Sequence, residues 1–140
     1  MNVRRVLKTG TFVASLGVLL SAAALAGESK VTLSGGEETP PVATAASGNG
    51  TLTVKDDHSV SGTITTRGMV GTVAHIHVGA PGKSGPPIIT LTKVSDNEWS
   101  VPAGSKLTDD QYKSYKAGEL YVNVHTDAHK GGEIRAQINP

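Results

Sequence analysis

Glu119-Leu120-Tyr121-Val122-Asn123-Val124-His125 alternates polar and apolar side chains almost without a break, and Glu133-Ile134-Arg135-Ala136-Gln137-Ile138 repeats the pattern after a short turn. A period of two puts Leu120, Val122, Val124, Ile134, Ala136 and Ile138 on one face of a strand pair. Tyr121, Asn123, His125, Glu133, Arg135 and Gln137 fall on the other. With Thr126–Gly132 as the turn, symmetric closure sets His125 opposite Glu133, Asn123 opposite Arg135 and Tyr121 opposite Gln137. One face of this antiparallel hairpin is therefore bound for a core and the other is polar.

The same pattern spreads upstream. Thr72–Val78 alternates with Ala74, Ile76 and Val78 on one side and Val73, His75 and His77 on the other. Lys30–Ser34 reads as a first strand, and Thr51–Lys55 with Ser59–Thr66 as a hairpin whose turn, Asp56-Asp57-His58, leaves His58 in solvent. Gly35–Thr44, with Pro40-Pro41, reads as a rigid extended connection. Ile88–Leu91 and Trp99–Val101 are short strand candidates after the long loop Gly79–Pro87. Turn signals recur roughly every 8–12 residues, the spacing of a sandwich or barrel. One helix interrupts, about Asp109–Ala117: Thr108 and Gln111 form a capping box, Leu107 and Tyr112 a hydrophobic staple, and Gly118 the stop. The expected architecture is an all-β antiparallel sandwich with one short helix.

Arg4, Arg5 and Lys8 precede the apolar run Thr11–Leu25, and Ala24-Leu25-Ala26 has the small-x-small form of a cleavage site. Residues 1–26 therefore read as a secretory signal peptide, the run being short of the roughly 20 residues a membrane span needs. Residues 27–140 are then a single domain, periplasmic or secreted, with no membrane span after cleavage. They carry 10 Lys/Arg against 12 Asp/Glu, a net charge of −2, which lacks the basic footprint of a nucleic-acid binder. There is no Cys, which excludes disulfides, thiolate metal sites and Cys nucleophiles.

His75 and His77, at i and i+2, project from one strand face about 7 Å apart. If their strand neighbours Glu119–His125, then His75, His77 and His125 share a surface with Glu133 beside them and His129 in the adjoining turn. Three imidazoles, with Glu133 or His129 assisting, suit copper or zinc. Copper is favoured because an imidazole set without thiolate fits Cu²⁺ by ligand type and affinity order. The competing reading is an ordinary solvated polar face, and Arg135 nearby counts against a cation. Gly82-Lys83-Ser84 is no phosphate loop, since His77 stands where its first glycine belongs and Pro86-Pro87 follows. No serine has a nucleophile-elbow context.

The segments Ala74–Gly82, Gly85-Pro86, Gly118–Thr126 and Gly131–Ile138, with Leu33-Ser34-Gly35 and Pro40-Pro41-Val42, resemble the hallmark segments of the CHRD (chordin-type) domain family. The resemblance covers about residues 30–138. It implies an immunoglobulin-like or related β-sandwich with a binding role and no catalytic activity to carry over. It also implies that His75, His77, His125 and Glu133 fall on characteristic positions of the family. Two functions follow as expectations. One is an exported, non-enzymatic metal-binding domain. The other is a metal-independent module recognising a protein or cell-surface ligand through Gly79–Pro87 and Thr126–Gly132. A superoxide-dismutase-like sandwich also carries His-x-His on a strand, but no full second-metal ligand set is present, and that activity ranks last.

Overall fold

The structure, a computed structural model, describes residues 27–140, so the expectation of a signal peptide over 1–26 lies outside the described residues. The strands in chain order are β1 (Glu28–Ser34), β2 (Ser47–Val54), β3 (Val60–Arg67), β4 (Val73–Val78), β5 (Pro87–Thr90), β6 (Thr92–Ser95) and β7 (Glu98–Ser100). The helix α1 (Asp109–Lys116) follows, then β8 (Leu120–His125) and β9 (Ile134–Ile138). Every pairing is antiparallel, in the order β5-β4-β8-β9-β1-β2-β3-β7-β6.

β5 and β6 are one run of chain separated only by Leu91, yet they end opposite edges of that order. The sheet therefore curls until this one segment, paired with β4 on one side and β7 on the other, nearly closes it. The all-β antiparallel architecture with one short helix is as expected. The layers are a single continuous sheet turned back on itself.

The alternating apolar positions supply the core: Leu33, Leu52, Ile64, Ile76, Val122, Val124, Ile134 and Ile138 are all buried. Each such side chain contributes roughly 1.5–3 kcal/mol on burial, which lets the domain stand without disulfides. Trp99 packs where Gly71 has no side chain; a Cβ there would meet the indole Cζ2 at 2.6 Å and Val124 Cγ1 at 3.0 Å.

In α1 the capping box forms: Gln111 N donates to Thr108 Oγ1 at 3.2 Å and Thr108 N to Gln111 Oε1 at 2.9 Å. Three details depart from the sequence reading. β6 is a strand the pattern does not announce, because all four of its residues are exposed and no burial imposes alternation. Gly35–Glu37 forms a 3-10 turn instead of an extended run, and the Thr39–Pro40 peptide is cis. His58 is stacked on the Tyr112 ring at 4.2 Å, since α1 packs over the β2–β3 turn.

Candidate metal centre

In the β8–β9 hairpin Asn123 pairs with Arg135 and Tyr121 with Gln137, the register that symmetric closure requires. β4 is the other neighbour of β8, with Val73 opposite His125, His75 opposite Asn123 and His77 opposite Tyr121. That adjacency brings His75, His77 and His125 onto one surface. One ring nitrogen from each lies within 4.8 Å of the others. His75 Nδ1 and His125 Nε2 are 3.1 Å apart.

The far sides of two rings are tied down. His77 Nδ1 lies 2.9 Å from Gly85 O, and His125 Nδ1 lies 2.8 Å from Lys130 O. A carbonyl only accepts, so both Nδ1 atoms are assigned the hydrogen, which leaves the lone pair of each ring on Nε2. This is the support that ligating histidines normally carry. Three nitrogens bound tetrahedrally at about 2.0–2.1 Å stand about 3.3 Å apart, against the separations of up to 4.8 Å here.

Most of the polar face is covered, which goes against the competing reading of an ordinary solvated face. Asn123, His77, His125, Glu133 and Arg135 are all buried. Three chain segments cover them, and polar groups so buried need partners. The Gly79–Gly85 loop is fastened through its carbonyls. Gln137 Nε2 donates to Gly79 O at 2.7 Å, and Arg135 to Ala80 O at 3.1 Å and Lys83 O at 2.8 Å. Arg135 also stands 3.5 Å over the Tyr121 ring, on which His77 stacks at 4.6 Å. The guanidinium beside the histidines is thus a loop clamp.

Glu133 and His129 are placed next to each other. Glu133 accepts from Thr126 Oγ1 at 3.0 Å and Thr44 Oγ1 at 3.2 Å, and His129 Nε2 lies 3.7 Å from its Oε1. The three-imidazole group contains neither residue.

Two residues of the site escaped the sequence reading. Asn123 Oδ1 lies 3.0 Å from His77 Nε2. Glu38, from the segment after β1, lies buried against the Asn123 amide. For Asn123 the signal was its place on the histidine face; for Glu38 there was none. Gly132, at φ +119°, leaves them room, because a Cβ there would collide with Glu38 Oε1 and Asn123 Nδ2. Gly132→Ala is expected to cost about 2 kcal/mol in urea unfolding; a change below about 0.5 kcal/mol would contradict this packing.

Burial lowers the pKa of His75, and repulsion from His125 and His77 lowers it further. Burial also lowers that of His77, against the opposing pull of its bonds to Gly85 and Asn123. The unfolded chain therefore takes up protons near pH 6.5 that the folded chain refuses. Stability is complete above pH 6.5 and falls as pH drops toward the folded values. The melting temperature of the metal-free protein should fall by roughly 5 °C between pH 7.5 and 5.5. The Glu38 pKa is raised by burial, and this acts with the opposite sign, so the scan belongs in a Glu38→Gln background. A level or rising profile there would refute the assignment.

An all-β domain with a tightly bonded polar face and three converging imidazoles is built for binding. The family model of the CHRD domain matches residues 29–138, from β1 to the end of β9, and the chain belongs to that family. CHRD is not known as a family of enzymes. No curated protein and no solved structure gives a significant match. No helix among the described residues is long and apolar enough to cross a membrane.

Proposed function

We propose that this chain is an exported, non-enzymatic binding domain, periplasmic or secreted, that holds copper or zinc through His75, His77 and His125. The observation that carries the reading is the convergence of the three ring nitrogens within 4.8 Å of one another. The Nδ1 support of His77 and His125 from loop carbonyls adds to it. Copper is preferred, because an imidazole set free of thiolate favours Cu²⁺ in the divalent series. In this reading Glu133 and His129 steady the Thr126–Gly132 loop, which carries the Lys130 carbonyl behind His125. The test is elemental analysis of protein purified from an exported fraction without chelator. Near-stoichiometric copper or zinc supports the reading, and an empty protein that takes up neither ion removes it.

One observation favours a second reading, in which the loops recognise a protein or cell-surface ligand without metal. The Gly79–Gly85 loop is tied to the sheet by hydrogen bonds to Gln137, Arg135 and His77. Preorganisation of that kind lowers the ordering cost of recognition. Partner binding in this case is indifferent to chelator.

A further inference from the structure

We propose that Asn123 holds the metal-facing nitrogen of His77 while no ion is bound, so that an ion enters only by displacing the Asn123 amide. The inference rests on the metal reading above. Neither nitrogen of His77 is free: Nδ1 donates to Gly85 O, and the bare Nε2 stands 3.0 Å from the Asn123 side-chain amide, which donates to it through Nδ2 once its O and N positions are exchanged. His125 is in the same condition, with Nδ1 on Lys130 O and Nε2 on His75 Nδ1. A ligating nitrogen must present a lone pair to the ion. Two contacts therefore have to open. The one between His75 and His125 opens within the ligand set. The one between His77 and Asn123 is held by a residue outside that set, almost completely buried.

Asn123 yields more readily than Gly85. The Gly85 contact orients the ring from behind and matches the Lys130 contact of His125, the arrangement that ligating histidines keep. An amide both donates and accepts, so Asn123 satisfies a protonated Nε2 through Oδ1 or, turned over, a bare Nε2 through Nδ2. It also has a second partner at hand. Glu38 packs against it, and Glu38 Oε1 is buried without a hydrogen bond. Asn123 is thus a positioning residue that sets a threshold for entry. The cost is common to every ion, so it lowers all affinities by the same factor and leaves the site filled only by ions whose affinity for imidazole exceeds it.

The experiment titrates wild type, Asn123→Ala and Asn123→Leu, each as the chain from Gly27 onward, with Zn²⁺ against a chromophoric chelator. Side-chain ¹⁵N spectra of the wild type are recorded with and without Zn²⁺. Losing one competing hydrogen bond should tighten zinc binding by about five- to tenfold in both variants. The Asn123 side-chain amide resonances should move when zinc binds the wild type. Unchanged or weaker binding by a variant that still melts cooperatively overturns the proposal. So does a stationary Asn123 amide while His77 Nε2 takes on the shift of a metal-bound nitrogen, a result that decides even if neither variant folds. A wild type that does not bind Zn²⁺, and that also takes up no Cu²⁺ when the same titration is repeated with that ion, overturns the metal reading itself, and the proposal with it. A binding wild type with unresponsive variants overturns only the role of Asn123.

Discussion

Alanine at both His75 and His77 is expected to strip stoichiometric copper or zinc from the protein and to weaken its affinity by at least about a hundredfold. Losses behind a ligand already cost on the order of 10–100-fold, and here two of three ligands go. The controls lie in the differing burial of the rings. His75 is only partly buried, and its hydrogen bond runs to His125 alone, so His75→Ala removes a ligand at small cost to packing. His77 also carries Gly85 and stacks on Tyr121, so its loss disturbs the loop. A circular dichroism melt therefore accompanies each metal titration. Metal retained by the double variant, or retention unaffected down to pH 4.5, would end the three-histidine assignment. Protonation must compete with the ion, and the lowered pKa values of His75 and His77 place the loss below pH 6.5.

Replacing Arg135 should produce the largest loss of stability from any single polar side chain. Its guanidinium holds Ala80 O, Lys83 O and Gln137 Oε1 and lies flat over Tyr121. Arg135→Met removes the two charge-assisted bonds to the middle of a loop whose ends are held separately by Gln137 at Gly79 and His77 at Gly85, at a cost of about 3 kcal/mol in urea unfolding. Arg135→Lys should recover less than half of this, because one ammonium cannot span both carbonyls or stack as a plane. Amide exchange supplies the local check: Lys83 and Gly85 N–H should exchange faster in either variant. A loss under about 0.5 kcal/mol with unchanged exchange would show that the loop holds itself.

Much of the strand pairing was legible because its signal is local. The alternation of Leu120, Val122 and Val124 against Ile134, Ala136 and Ile138 sets which side of each strand joins the apolar core, and the pairing of Asn123 with Arg135 followed. The three-histidine face was legible as far as the side of each strand, but not the adjacency of β4 and β8 on which it depends. Whether that face met solvent or a covering loop stayed open. Nothing in an alternating strand distinguishes a polar side chain awaiting water from one awaiting a loop carbonyl.

The sequence by itself determined most of the antiparallel strands, the capped helix and the face to which each strand residue belongs. All of these follow from residue order over a few positions, where period and side-chain chemistry act directly. Only the tertiary structure decided that Pro87–Ser95 nearly closes the sheet, that Arg135 and Gln137 clamp a loop, and that Glu38 meets Asn123 behind His77. The clamp partners are backbone carbonyls 52 to 58 positions away. Every residue offers the same carbonyl, so the sequence carries no mark of which one is chosen until the folded chain sets it within reach.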